Sequence, residues 1–260
     1  MSRVLLASVF VLVLVLSAAA QTRPPWMPCS GINLVDQSFP TAGPERTHWR
    51  LCWEAMSKNG LVIHWAFFRP APNAKWIRVF WDARVSDIFV PYHIGSPRYY
   101  DMSGFTFPMT VITAADCPAS IGGTPLGGNV CKEVRDRGLL WKDDAAVRRG
   151  QELALWGALD AANYNYVMEW TFRDDGVVVG RVGATAVNLP GVPFEPHMHN
   201  PLWRLDIDLD GFWSDSVKFG THSEPTSGPT ATDSEPLIST EGSRDWDPHS
   251  FNELHVYTLR

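Results

Sequence analysis

The sequence predicts a mainly β protein, organised as an antiparallel β-sandwich with little helix. Aromatic residues make up 12% of the 260 residues and include 12 tryptophans, while glycine and proline number 20 each. This composition is typical of strands joined by many turns. Apolar and polar residues also alternate in several segments at the period of a half-buried strand. The length is sufficient for one large hydrophobic core.

The N-terminus has the composition of a secretory signal peptide over residues 1–20. Arg3 gives a short positive start, 4–16 is an apolar run, and three alanines at 18–20 form a cleavage-like site. The alternative is a single membrane anchor, but the run is short for a bilayer span. We therefore expect a secreted protein that is free of the membrane after cleavage.

Strand patterns begin at Thr47, after a polar and proline-rich lead-in at residues 21–46. Segments 60–68 and 76–83 are apolar or alternating, and a turn-like stretch separates them, so they predict an antiparallel hairpin. Residues 91–129 contain many prolines, glycines and serines and predict loops with short strands.

Further strands are predicted in the second half of the chain. Segment 149–159 fits either a strand or a short helix. Segments 164–172 and 177–185 flank Asp174-Asp175-Gly176, a strong hairpin turn. Segment 201–210 alternates apolar and acidic residues, and 254–259 predicts a last strand.

The four cysteines predict two disulfides, because an even count behind a signal peptide indicates an oxidising compartment. They are Cys29, Cys52, Cys117 and Cys131. Sequence alone allows three pairings. Closeness along the chain favours Cys29–Cys52 and Cys117–Cys131, and a glycine-rich loop between 117 and 131 would let the chain turn back.

The strongest chemical signal is the pair His197 and His199, separated by Met198. On a strand, side chains at i and i+2 share a face and can reach one metal ion. Neutral imidazole suits copper and zinc. Two surface histidines in a loop are the alternative.

Three other patterns are weaker when each is taken alone. Asn163-Tyr164-Asn165-Tyr166 is more typical of core and turn packing than of a cofactor site. Asp206 and Asp208, with the Ile207 carbonyl between them, could ligate calcium, although a solvated strand face explains them as well. Asp101 follows two tyrosines, Tyr99 and Tyr100, and could be a general base or an ordinary turn residue.

In this order, the patterns resemble the catalytic domain of the copper- and quinone-dependent primary amine oxidases, over about half of the chain. The matching segments, in chain order, are Ser86–Tyr92, Tyr99–Asp101, Asp116–Pro118 with Asn129–Cys131, Gly138–Lys142 with Val147–Arg149, Asn163–Tyr166, His197–His199 and Arg204–Gly211. The resemblance also implies a Cys117–Cys131 disulfide. It implies a partial amine oxidase-like catalytic domain over residues 47–260.

The resemblance implies a function and a role for each residue. Tyr164 would be the precursor of topaquinone, flanked by Asn163 and Asn165, and His197 and His199 would bind copper. Asp101 would be the general base and Tyr99 the gate of the entrance, while Asp206, Ile207 and Asp208 would bind calcium. Primary amines and oxygen would give aldehyde, ammonia and hydrogen peroxide. A homodimer is also expected from the family.

The sequence departs from the family pattern at several positions. Asn165 replaces the usual Asp or Glu, and Asp160 replaces a usual Thr or Ser. The third copper histidine of the family lies far downstream, so we expect a C-terminally truncated or divergent chain in which His222 or His249 could substitute. An amine oxidase-like secreted protein that lacks activity and binds metal or a partner is the alternative. The formal net charge of −6 argues against a nucleic-acid partner.

Overall fold

The computed structural model describes most of the chain between residues 24 and 258. The described residues are 24–92, 97–186, 197–209, 215–223, 232–234, 236–240, 242–243 and 251–258. The predicted signal peptide at 1–20 lies outside them, as does His249. No helix in this described part of the chain is long and apolar enough to cross a membrane.

The described residues are mainly in β-strands, and every pairing between strands is antiparallel. The strands are β1 (Leu34–Phe39), β2 (Thr47–Met56), β3 (Gly60–Arg69), β4 (Ile77–Pro91), β5 (Arg98–Tyr100), β6 (Gly123–Leu126), β7 (Val130–Lys142), β8 (Val147–Ala161), β9 (Tyr164–Arg173), β10 (Val178–Ala186), β11 (Asn200–Ile207), β12 (Asp215–Ser223), β13 (Thr232–Ser234), β14 (Leu237–Ile238) and β15 (Phe251–Thr258).

The strands form three sheets. The first has the order β1-β2-β3-β4-β11, with β5 paired to β4, and the second has the order β10-β9-β8-β7-β6. A smaller third sheet contains β12 to β15. The predicted hairpin forms as β3 and β4, and the Asp174–Gly176 turn joins β9 to β10. The ambiguous segment 149–159 is part of strand β8, since β7 and β9 pair with it on both sides.

The core lies between the first and second sheets. Side chains from β2 and β3, such as Trp49, Leu51 and Ile63, are in one buried cluster with Leu155 and Phe172 from β8 and β9. All five are fully buried. Two facing sheets with one shared apolar core form a β-sandwich, which confirms the predicted fold class.

Both predicted disulfides are present. Cys29 bonds to Cys52, and Cys117 bonds to Cys131. The lead-in contains a strand that its composition did not predict, because β1 pairs with β2 along its whole length. The Cys29–Cys52 bond attaches the chain just before β1 to the neighbouring strand β2.

Candidate active site

Strand β9 places the two tyrosines of the Asn163–Tyr166 motif on the inner side of the second sheet. A tight turn at Ala162 and Asn163 joins β8 to β9, and Ala162 adopts a positive φ of 61°. From Tyr164, alternate residues share one face, so Tyr166 follows on the same side. The two rings are stacked with centroids 5.9 Å apart. Tyr166 is fully buried, whereas Tyr164 is partly exposed at the strand end.

Strand β4 sets the relative positions of Asp101 and the two histidines. Phe89 of β4 pairs with Tyr100 of β5 on one side and with Asn200 of β11 on the other. Asp101 directly follows Tyr100, and His199 directly precedes Asn200. Neighbouring strands lie about 4.8 Å apart, so backbone pairing alone brings these two residues to the same end of β4.

Hydrogen bonds join these residues into two groups, and ring contacts bring the groups together. The hydroxyl of Tyr164 lies 2.6 Å from Nε2 of His197. The hydroxyl of Tyr166 lies 2.8 Å from Nδ1 of His199 and also donates a short hydrogen bond to Oδ2 of Asp101. Three segments that are far apart in the sequence therefore meet at the N-terminal end of β9.

The two imidazole rings lie close together beside the first tyrosine. The centroids of His197 and His199 are 4.9 Å apart, and the His199 ring is 4.6 Å from that of Tyr164. Although the spacing rule for strands predicted this proximity, residues 197–199 lie just before β11 and outside regular structure. The two histidines are therefore brought together by the position of the first residues of β11, and they do not lie on a strand themselves.

Tyr92 covers the outer side of His197. Their rings are stacked, with centroids 4.5 Å apart and an interplanar angle of 20°. Burial and the nearby Tyr164 raise the pKa of Tyr92, so its hydroxyl stays protonated at neutral pH. Tyr92 directly follows β4 and packs against one of the two histidines.

The site favours neutral forms of two groups. Burial raises the pKa of Tyr166 well above its usual range, and its hydrogen bond to the Asp101 carboxylate reinforces the effect. Burial also lowers the pKa of His199, with the neighbouring His197 acting in the same direction and Asp101 opposing it. Burial thus favours the neutral imidazole, which is the form that binds a metal.

Asp87 holds the loop that carries Asp101. Its Oδ1 accepts backbone hydrogen bonds from Ile88 at 2.8 Å, Met102 at 3.1 Å and Ser103 at 3.3 Å. The Ser103 hydroxyl donates to its other oxygen. Asp87 is buried, and these bonds compensate for removing its charge from water. The backbone N–H of Asp101 itself donates to the Ile88 carbonyl at 2.9 Å.

The other residues predicted for the quinone site lie around a cleft of about 490 Å³. Asn163, Tyr164 and Asn165 line it, together with Thr110, Asp160, Ala162 and Thr185. The Asn165 amide donates to the Tyr164 carbonyl at 3.2 Å. Asn165 points away from the Tyr166 side, as alternation along β9 requires. The cleft gives an open approach to the turn before Tyr164.

Tyr99 lies one step further out. It is 40% exposed, and its ring contacts those of Tyr92 and Phe105 at centroid distances of 5.9 and 6.4 Å. Tyr99 thus contacts Tyr92, which in turn stacks on His197. Its predicted role as a gate stays a prediction.

The residues predicted to bind calcium occupy two different environments. A register shift separates Asp206 from Ile207 in the pairing of β11 with β4. Asp206 is partly exposed and lies 4.0 Å from the Arg204 guanidinium, whereas Asp208 is buried and forms an ion pair with Arg78. Because of this register shift, Asp206 and Asp208 do not share one environment, as residues at i and i+2 of a regular strand would. Calcium binding at Asp206, Ile207 and Asp208 stays a prediction.

The chemistry of the site fits copper in part. His197 Nε2 faces the Tyr164 oxygen, and the hydrogen bond of His199 is made through Nδ1, which leaves Nε2 for a metal. Two imidazoles and a phenol oxygen are suitable donors for copper. Within the described residues, no group of three or more His, Cys, Asp or Glu side chains is arranged to hold a metal ion. The backbone of His222 lies in β12, paired with Asp233.

Sequence reasoning did not assign a role to Tyr92, Asp87 or Tyr166. The signal for Tyr166 was available, because it lies two residues after Tyr164 and must share its face. Tyr92 and Asp87 contact the site only through the register of β4 and the return of the loop at 101–103. Neither relation has a local sequence pattern.

Comparison with known proteins gives the same family in sequence and in structure. A diamine oxidase [copper-containing] and an N-methylputrescine oxidase, both from Nicotiana tabacum, are each 26% identical over 140 residues, which is 45% of this chain. The amine oxidase of Aspergillus nidulans aligns with 98% of the chain at a TM-score of 0.65 and 14% identity. The chain resembles a divergent copper amine oxidase domain. No family model matches the sequence.

The likeness to amine oxidases is confined to part of those proteins. The aligned segment covers 16% of each tobacco enzyme, and the chain spans 39% of the Aspergillus chain. The lysyl oxidase of Pichia pastoris aligns with 75% of this chain at a TM-score of 0.53 and 14% identity. At such identities the structural matches establish an amine oxidase-like fold.

Proposed function

We propose that this chain carries the redox centre of a copper amine oxidase and converts primary amines to aldehydes. The reaction consumes a primary amine, oxygen and water and yields an aldehyde, ammonia and hydrogen peroxide. One observation carries the proposal. Tyr164, Asp101 and the two histidines, singled out from separate segments of the sequence, lie in one cluster of two hydrogen-bonded groups whose rings contact each other.

The metal would be held by His197 and His199, beside the hydroxyl of Tyr164. When bound, copper supplies the oxygen chemistry that converts the Tyr164 ring into topaquinone, whose carbonyl accepts the electrons of the amine. A tyrosine to be oxidised in place must lie at the metal, and the 2.6 Å contact between the Tyr164 hydroxyl and Nε2 of His197 supports that placement. Metal binding through Nε2 would replace this hydrogen bond. Its stacking on Tyr166 restrains the ring.

Asp101 is the proposed proton acceptor for the carbon beside the substrate nitrogen. It is partly buried, and Tyr166 fixes one of its oxygens by donating a hydrogen bond. The second oxygen, Oδ1, is the candidate to face substrate. Asp87 restrains the backbone around Asp101, so the carboxylate is held before substrate arrives.

The proposal extends to localisation, calcium and assembly. The signal peptide pattern supports a secreted protein in which the two disulfides persist. Calcium at Asp206 and Asp208 would require Arg78 to leave Asp208. A homodimer is proposed by analogy with the family.

The decisive experiment is to express the chain with copper in air and to treat it with phenylhydrazine. We expect a visible quinone absorption band, and a hydrazone located at Tyr164 by peptide mass spectrometry. Primary amines should then generate peroxide and aldehyde in equal amounts. Tyr164→Phe is the matched control, since it keeps the ring and removes the hydroxyl that oxidation to the quinone requires. Full copper loading without an adduct in the parent chain would refute the oxidase proposal and favour the metal-binding alternative.

A further inference from the structure

The hydroxyl of Tyr166 makes two hydrogen bonds to residues of different proposed roles. One partner is Oδ2 of Asp101, the proposed base, and the other is Nδ1 of His199, the proposed metal ligand. Tyr166 is itself fully buried, and strand β9 and the core fix its ring. The reaction as proposed above uses no chemistry of Tyr166.

The protons available on the phenol and the imidazole determine the direction of both hydrogen bonds. A phenol has one proton, and a carboxylate can only accept, so this proton is donated to Asp101. The phenol oxygen must then accept at its other contact, which requires a proton on Nδ1 of His199. A neutral imidazole carries one N–H, so Nε2 of His199 retains its lone pair. The resulting chain runs from the Asp101 carboxylate through Tyr166 to the N–H of His199.

We infer that Tyr166 is a positioning residue that sets the tautomer of His199 for metal binding and couples it to Asp101. Metal-bound histidines commonly donate their second N–H to an acceptor, and that acceptor orients the ring. Here the acceptor is a phenol oxygen whose own proton is held by the base. Asp101 therefore influences a metal ligand that it does not contact. This inference rests on the proposed function for the identity of the metal.

The tautomer can be observed directly in the metal-free protein. Long-range ¹H–¹⁵N correlation spectra of histidine-labelled protein distinguish a protonated Nδ1 from a protonated Nε2. We expect His199 to be protonated at Nδ1 in the parent chain and to lose this preference in Tyr166→Phe. Tyr100→Phe is the matched control, because it keeps the exposed ring that packs on Phe89, and loss of this hydroxyl should leave His199 unchanged. A protonated Nε2 in the parent chain would overturn the inference.

Copper affinity gives the second readout. Loss of an outer hydrogen-bond partner typically weakens metal binding by about 10- to 100-fold, so Tyr166→Phe should raise the copper Kd by at least about 10-fold. Competition with a chelator of known affinity measures this value on metal-free protein. Unchanged affinity in a folded Tyr166→Phe variant would contradict the inference.

Two substitutions of Asp101 test the hydrogen-bonded connection from Asp101 through Tyr166 to His199 without altering Tyr166. Asp101→Asn removes the charge and keeps an oxygen that can accept from Tyr166, whereas Asp101→Ala removes the acceptor. With Ala, the Tyr166 proton becomes free to bind Nδ1 of His199, which places the N–H on Nε2 and opposes copper. We expect Asp101→Ala to bind copper several-fold more weakly than Asp101→Asn. Equal losses in both variants would indicate a simple charge effect and refute the coupling.

The two proposals fail in different ways. A parent chain that takes up no copper would refute the oxidase proposal, and the histidine spectra of the metal-free protein would still test the role of Tyr166. A parent chain that forms the quinone while Tyr166→Phe retains copper affinity and tautomer would refute the role of Tyr166 alone.

Discussion

The two ends of strand β9 use the same face of one strand for opposite purposes. Alternate residues from Tyr164 to Phe172 point inward. At the Phe172 end, that ring packs 5.2 Å from Trp49, whose indole N–H donates to the Arg173 carbonyl at 2.7 Å. At the Tyr164 end, the polar atoms bind to Asp101 and to the histidines instead.

The difference lies in the partners and not in the strand itself. On this face at the core end, the indole N–H groups of Trp49 and Trp170 donate to backbone carbonyls, which are chemically inert. At the site end, equally buried groups are satisfied by ionisable side chains from other segments. A buried tyrosine therefore becomes part of a reactive centre when a carboxylate and an imidazole replace the carbonyl as its partner.

Substitutions at the two ends should separate stability from activity. Phe172→Ala should destabilise the fold by about 3–5 kcal/mol, because it removes a fully buried ring from the core. Tyr164→Phe should abolish amine-dependent peroxide formation while changing the free energy of unfolding by less than about 1 kcal/mol. Urea denaturation and a peroxide assay measure the two effects. Equal destabilisation by both variants would show that the two ends do not differ in this way.

Asp87→Ala should affect both stability and the site. It leaves three backbone N–H groups near Asp101 without their acceptor, which costs about 1–3 kcal/mol. The loop at 101–103 should become more mobile, so kcat should fall by a larger factor than KM changes. Hydrogen exchange at Met102 and Ser103 measures the loosening. Full protection of these amides in Asp87→Ala would contradict the anchoring role.

Opposite substitutions in the turns at the two ends of β9, Gly176→Ala and Ala162→Gly, should have opposite effects on stability. Ala162 has φ 61° and Gly176 has φ 91°, both in the left-handed region that favours glycine. Gly176→Ala should cost about 1–2 kcal/mol, since its Cβ would also lie 3.0 Å from the Phe68 ring. Ala162→Gly should be neutral or stabilise by about 0.5 kcal/mol, because strain relief exceeds the entropy lost. Thermal unfolding of both variants tests this contrast.

The smallest effect is expected at Asp36 on the outer surface of the first sheet. A hydrogen bond with His48 lowers the pKa of Asp36 in the folded chain, partial burial opposes this shift, and Arg50 and Arg69 add to it. A lowered pKa stabilises the fold above about pH 4, and this contribution is lost as the pH falls through the folded value. Asp36→Asn should cost about 0.5 kcal/mol at pH 7 and nothing near pH 2. A cost that persists at pH 2 would exclude the charge as its cause.

Much of the fold was predictable because local chemistry specifies it. Alternation identified the β3–β4 hairpin, and Asp-Asp-Gly at 174–176 identified the turn between β9 and β10. Segment 149–159 was ambiguous because β8 is buried on both faces in its middle, which removes the alternation. Strand β1 was missed because proline and polar residues dominate its surroundings, and its strand conformation depends on pairing with β2.

The site was predictable only as a set of residues. The motif around Tyr164 and the His197–His199 pair indicated which side chains to consider, but no pattern states that Tyr166 contacts both Asp101 and His199. Those contacts depend on where β5 and β11 pair with β4. The Asp206–Asp208 pattern illustrates the same limit, since a register shift separates side chains that simple alternation would place together.

The double pairing of Phe89 has a consequence for folding. Tyr100 and Asn200 dock on opposite edges of the same residue, although they are 100 positions apart in the chain. Such distant pairing is slow, because chain entropy must be lost before the contact forms. The first sheet must close around β4 before Asp101 and His199 can approach. In the proposed copper oxidase, metal capture would then be a late event, and copper uptake would report that this sheet has finished assembling.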